Sequence, residues 1–137
     1  MRVLALDHGA ARCGCALSDT TGTLATPIGE VLRPDTKAGI KKLRELVEER
    51  AVDRIVVGLP LSLSGGDSDQ TREARAFADR LSAALGPEVP IELFDERFTT
   101  TIAAGTDGRE SEDSRAAAVL LDDWLARHGH EHWSTDE

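Results

Sequence analysis

Cysteine is scarce in this chain: there are two, Cys13 and Cys15. Both fall in a predicted strand, two residues apart, so they face the same way and are poorly placed to bridge each other. A metal pair needs further Cys or His at ligand spacing, and none lies near. A disulfide framework is therefore excluded, and both thiols read as small buried apolar side chains. Long apolar runs are missing too. The N-terminal Val3-Leu4-Ala5-Leu6 falls far short of the roughly 20 residues that span a bilayer. Met1-Arg2-Val3 passes straight into a strand and an aspartate, without the apolar region and cleavage site of a signal peptide. A cytoplasmic chain with no membrane partner is expected.

Basic residues are in the minority, 16 against 25 acidic ones, for a formal net charge of −9. That balance argues against a protein that coats nucleic acid with a broad basic surface. It leaves room for an enzyme that grips a few phosphates through local arginines and metal ions.

What remains is ordinary globular material, 137 residues with 40% apolar and 30% charged side chains, enough for one proper core. No repeat, low-complexity tract or interdomain linker interrupts it. Residues 2–7, 13–19 and about 24–33 read as three strands joined by short turns at Gly9 and at Thr20-Thr21-Gly22-Thr23, which should pair antiparallel. After Pro34 the period changes. Ile40, Leu43, Leu46 and Val47 recur at helical spacing, with Asp35 or Thr36 as N-cap. Arg54-Ile55-Val56-Val57-Gly58-Leu59-Pro60 reads as a strand covered on both faces. A Gly- and Ser-rich loop, Ser62 to Asp69, leads into a second helix striped with Ala74, Phe77, Ala78, Leu81 and Leu85 and stopped at Gly86-Pro87. Pro90 to Phe94 forms a fifth strand, and a last helix runs from about Ser111 to His128.

The order βββαβαβα implies an α/β fold with a mixed five-stranded sheet and helices on both faces, the later strands parallel to their neighbour. We expect one domain over residues 1–129 and a flexible tail over 130–137.

Three features carry possible chemistry. Asp7 ends the first strand and precedes His8-Gly9. It is either a turn residue accepting local N–H bonds or a working carboxylate at a strand end, with Gly9 letting a phosphate approach the backbone. Asp95-Glu96-Arg97-Phe98-Thr99-Thr100 follows the fifth strand. Strand alternation keeps Asp95 and Glu96 from facing the same way, and a polar loop with a helix cap at Thr99 or Thr100 is the plain alternative. Asp113 stands one turn before Ala116 and Ala117 and in line with Leu120, Leu121 and Trp124, on the stripe that must face the sheet. Macrodipole complementarity explains Glu110 and Glu112 well and Asp113 less well, because an inward carboxylate needs a partner or a metal.

Acids from strand one, strand five and the last helix make a hard-oxygen site suited to Mg²⁺ or Mn²⁺. Two such ions about 3.5–4 Å apart can activate water and stabilise the leaving oxygen in phosphodiester cleavage. Other features are weaker. Ser64-Gly65-Gly66-Asp67-Ser68 lacks the Lys-Ser/Thr ending of a P-loop. His128, His130 and His132 read as a surface cluster, and Lys37, Lys41, Lys42 and Arg44 as a solvated helix face. No Ser-His-Asp or Cys-His arrangement stands out.

The chain resembles the YqgF family, bacterial proteins described as Holliday junction resolvases and, more recently, as nucleases that trim the 5′ end of the small-subunit ribosomal RNA precursor. The resemblance rests on Leu4-Ala5-Leu6-Asp7-His8-Gly9 with Arg12 and Ala16-Leu17-Ser18-Asp19, on Val56 to Leu61, on Asp95-Glu96-Arg97 with Thr99-Thr100, and on Asp113 with Ala116-Ala117. It implies an RNase H-like fold, with Asp7, Glu96 and Asp113 as a catalytic and metal-holding triad for Mg²⁺ or Mn²⁺. Arg12, Arg97, Thr99 and Thr100 are then expected to hold substrate phosphate. The implied substrate is structured RNA, a ribosomal RNA precursor, with branched DNA as the alternative, and the implied state is a monomer or a weak homodimer. Where relatives carry a longer helix and a basic loop, this chain reads Thr101 to Glu110 with one arginine and two acids. Two other classes stay in view. An actin-like nucleotide-binding protein shares the strand–Asp–x–Gly–hairpin pattern but needs two domains. A non-catalytic interaction protein of the same fold fits the acidic charge.

Overall fold

The computed structural model describes residues 2–19, 21, 24–59, 69–95 and 112–133, with residues 95, 112, 113 and 128–133 by backbone alone. Five strands and three helices follow in the order β1 (Val3–His8), β2 (Arg12–Ser18), β3 (Ala25–Leu32), α1 (Lys37–Glu49), β4 (Arg54–Leu59), α2 (Asp69–Leu85), β5 (Ile91–Asp95) and α3 (Glu112–Trp133). The expected element order and sheet are thus observed. The strands lie in the order β3-β2-β1-β4-β5, with β1–β2 and β2–β3 antiparallel and β1–β4 and β4–β5 parallel.

Alternation along β1 explains the two layers. Leu4 and Leu6 join Cys13, Cys15 and Leu17 in one cluster, completed by Leu43 and Val47 of α1 and Phe77 and Leu81 of α2. Val3 and Ala5 point the other way, into a cluster with Ala16, Val56 and Phe94 that is roofed by Ala117, Leu120, Leu121 and Trp124 of α3. Because β1 is central and covered on both sides, nearly every residue in it must be apolar until it reaches its end. Full burial of each large side chain contributes about 1.5–3 kcal/mol, so this strand anchors both cores. Cys13 and Cys15 are free and buried, as their spacing implied.

Local signals set the helix boundaries. Thr36 caps α1, its hydroxyl accepting from the Gly39 amide at 3.1 Å, which settles the choice between Asp35 and Thr36. Gly39 is needed for close approach: a Cβ there would lie 2.2 Å from the Arg33 carbonyl oxygen and 2.7 Å from Pro34 Cα. Gly86, at φ +84°, ends α2 as expected. β3 carries one extra residue where Gly29, at φ +110°, faces Cys15 and Pro27 faces Ala16.

Two expectations shift. The last helix runs to Trp133, five residues past His128, so its final turns continue beyond the expected stop. Ala116 is exposed and Ser114 is buried; the sheet-facing row of α3 is therefore Ser114, Ala117, Leu120, Leu121 and Trp124, a slightly rotated version of the expected stripe. Trp124 lies at 0% exposure, and its indole N–H donates to Glu92 Oε2 at 3.1 Å, while Arg54 meets Glu92 Oε1 at 3.3 Å. This carboxylate ties β4, β5 and α3 together.

Candidate active site

Asp7 shares the parity of Val3 and Ala5, so it projects from the central strand toward the α3 side of the sheet. It is half-buried. Its partner on β2 is Gly14. On the other side, one residue past the Leu6–Val57 pair, it comes level with Gly58, which pairs with Phe94 of β5. The residues level with Asp7 on both neighbouring strands are therefore glycines, and both are buried. A carboxylate at this strand end is a hard-oxygen donor of the kind that fits a divalent cation.

The next rung out is level with Leu59 and Asp95, which pair at the ends of β4 and β5. Asp95 is the last residue of β5, so position 96 follows it directly in the chain. On α3, position 113 stands four residues before the buried Ala117, on the row that carries Leu120, Leu121 and Trp124. Glu96, Arg97, Thr99 and Thr100, and the side chain of Asp113, lie outside the described residues, as do the Ser62–Ser68 loop and the segment 101–111. Among the described residues no cluster of three acidic, His or Cys side chains gathers as a metal set.

Arg12 opens β2 on the Asp7 side of the sheet, half-exposed, with its guanidinium 3.5 Å from Glu30. Glu30 pairs with Gly14, so Asp7, Gly14 and Glu30 form one rung across β1, β2 and β3. Its Oε2 is buried without a hydrogen-bond partner. This second acid was not legible in the sequence, because only the strand register brings it level with Asp7.

His8 faces the opposite layer. Its side chain is 3% exposed, with Nε2 2.9 Å from Asp35 Oδ2 and its ring stacked on Phe77 at 4.6 Å. It locks the end of β1 to the start of α1 and to α2. Gly9 serves the adjoining turn, since a Cβ there would lie 2.9 Å from the Arg12 carbonyl oxygen. That close contact accounts for the glycine independently of any phosphate. Behind this end of the sheet, Cys13 has its thiol pushed well above the ordinary value by its contact with the Cys15 thiol, then by burial and by the negative charge of Asp7 and Asp35. It stays a neutral core residue.

A central strand ending in an acid, a β3-β2-β1-β4-β5 mixed sheet and, among the described residues, helix α3 roofing the acid's face define an RNase H-like fold. RuvC from Thermus thermophilus shares this fold, with a TM-score of 0.59 at 15% identity over 94% of this chain and 97% of that one. The chain belongs to the RuvX family, described as Holliday junction resolvase, which matches residues 1–127. A protein of Mycobacteroides abscessus named "Putative pre-16S rRNA nuclease" is 42% identical over 135 residues, covering 90% of this chain and 80% of its own length. One of the same name from Anaeromyxobacter sp. strain K is 40% identical over 136 residues, covering 93% and 98%. The family, the fold and the nuclease class expected from the residues are thereby shown. Within that class, the names of these relatives and of the family point to the two substrates weighed from the sequence.

Proposed function

We propose that this protein is a divalent-metal-dependent nuclease that hydrolyses phosphodiester bonds during 5′-end processing of the pre-16S ribosomal RNA. The observation that carries the chemistry is Asp7, held at the end of the central strand between Gly14 and Gly58. Glu96 and Asp113 complete the acid set in this reading. Chain continuity from β5 supports the first, and the sheet-facing row of α3 supports the second. Asp7, Glu96 and Asp113 would hold Mg²⁺ or Mn²⁺, two ions in this reading, which would supply charge neutralisation at the phosphate and activation of water. Asp7 contributes a fixed anionic oxygen that needs no rearrangement, since β1 is held on both faces and at His8. Arg12, kept on the same side by Glu30, takes up a phosphate of the bound strand, with Arg97, Thr99 and Thr100 as further contacts. The substrate assignment is supported by relatives about 40% identical along most of the chain. We read residues 1–129 as one nuclease domain, with the last turn of α3 continuing to Trp133. Among the described residues no helix is long and apolar enough to cross a membrane; the site of action in this reading is cytoplasmic.

The test is Mn²⁺- or Mg²⁺-dependent cleavage of a precursor fragment spanning the 5′ end of the small-subunit RNA. Asp7→Asn should lose at least 100-fold in rate while melting as the wild type does. It should also lose the rise in melting temperature that Mn²⁺ gives the wild type. Equal cleavage by Asp7→Asn would remove the proposed site. A junction resolvase, the second reading, is favoured by the family description. It requires two active sites, so cleavage of a four-way DNA junction by a dimer, with the RNA left intact, decides for it.

A further inference from the structure

On the layer opposite Asp7, α1 and α2 enclose a groove of about 480 Å³. Lys37, Lys41 and Arg44 line it from α1 and Arg80 from α2, above an apolar floor of Ile40 and Ala84. Four of the chain's 16 basic residues thus converge in a protein of net charge −9. The local charge opposes the global one, which a merely solvated helix face does not require. Lys37, Lys41 and Arg44 enter no ion pair among the described residues, so their charge is not spent within the fold. Asp35, the one acid among the described residues that line the groove, is already engaged: its carboxylate meets His8, and its carbonyl accepts from Arg80.

The groove also connects to the active site. Asp35 sits at its head, and Asp35 is bound to the residue that follows Asp7 on β1. Lys37, Lys41 and Arg44 recur at i, i+4 and i+7, a row about 10 Å long at about 1.5 Å per residue. One strand of a B-form duplex places a phosphate about every 3.4 Å along its axis, so the row spans about three such steps.

We propose that this α1/α2 groove holds the phosphodiester backbone of the RNA segment flanking the bond cut at Asp7, and so supplies the grip that the acidic surface otherwise denies. This rests on the nuclease reading above and deepens it. A strand crossing the end of β1 passes from the Asp7 face over His8 to the head of the groove. The cations fix the flanking phosphates without reading base identity.

The test is fluorescence anisotropy of the full chain with a labelled hairpin from the precursor 5′ region, in EDTA so that nothing is hydrolysed, across a salt series. Lys41→Glu/Arg44→Glu should weaken binding at least tenfold and lower the slope of log affinity against log salt by about 1.5, at about 0.7–0.9 per lost phosphate contact. Lys41→Arg/Arg44→Lys, which keeps both charges, should stay within about twofold of wild type. Melting curves of both variants should overlay the wild type, since both positions line an open groove. Unchanged affinity and slope in the charge-reversed variant overturns the groove. So does displacement of the hairpin by polyglutamate at an equal concentration, which would make the occupant an acidic protein. Wild type that binds the hairpin through this groove but never cleaves it leaves the groove as an RNA-backbone site and removes the nuclease reading. Cleavage that is indifferent to the charge reversal does the reverse.

Discussion

His8 Nε2 lies 2.9 Å from Asp35 Oδ2, with the ring stacked on Phe77 at 4.6 Å and its side chain 3% exposed. The residue beside the proposed catalytic acid is thus clamped by α1 and α2, while Asp7 itself faces α3. Replacing His8 with Ala leaves a cavity and an unpaired Asp35 carboxylate. We expect a loss of about 2–4 kcal/mol in urea unfolding. His8→Gln, which keeps a polar tip within reach of Asp35, should recover part of it. A His8→Ala chain as stable as the wild type would show that the clamp does not hold the strand end.

Glycine at 14 and 58 should matter more to activity than to folding. Gly58→Ala places a methyl on the rung of Asp7, beside the carboxylate proposed to hold the ion. Cleavage should fall by more than tenfold and the Mn²⁺ stabilisation should shrink, while the far-ultraviolet dichroism is retained. Full activity in both Gly14→Ala and Gly58→Ala would show that the cradle is not used.

Gly39→Ala inverts the usual expectation for a helix. Intrinsic propensity favours Ala by about 1 kcal/mol, yet the new Cβ would lie 2.2 Å from the Arg33 carbonyl oxygen. Overpacking against backbone should win, for a net destabilisation of about 2 kcal/mol measured by thermal or urea unfolding. A stabilised Gly39→Ala chain would show that the Arg33–Pro34 turn gives way freely.

Cys13 makes a pH prediction. Contact with Cys15 and burial raise its thiol above the ordinary value, so the folded chain holds a proton that the unfolded chain releases near pH 8.5. The folded state then binds more protons, and stability is complete below about pH 8.5 and falls as the pH rises above it. Unfolding free energies at pH 7 and pH 10 should differ more in wild type than in Cys13→Ala. Both thiols should react with a disulfide reagent only as fast as the chain opens.

Glu92 joins three elements through Arg54 at 3.3 Å and the Trp124 indole at 3.1 Å. Glu92→Ala strands a buried indole N–H and should cost about 1–3 kcal/mol. Glu92→Gln should cost less, because its amide oxygen still accepts from Trp124. The shift in urea midpoint measures both.

Much of this was legible in the residues themselves. Val3 to Leu6 announced a strand buried on both faces, and the change of period after Pro34 announced the first helix, because burial on a strand repeats every two residues and on a helix every 3.6. Those periods are properties of the backbone, so the element order and the two-layered sheet follow from the sequence, and Asp7 stands out as the polar residue that ends the central run. Pairing is different. That Gly14 and Gly58 flank Asp7, that Glu30 shares its rung and holds Arg12, and that Arg80 of α2 joins Lys37, Lys41 and Arg44 of α1 all depend on strand register and helix packing between segments far apart in the chain. A lysine row reads as a solvated face until a second helix closes a groove over it. Local periodicity determined which elements form; only tertiary packing, which is set by burying both faces of the sheet at once, decided which side chains meet.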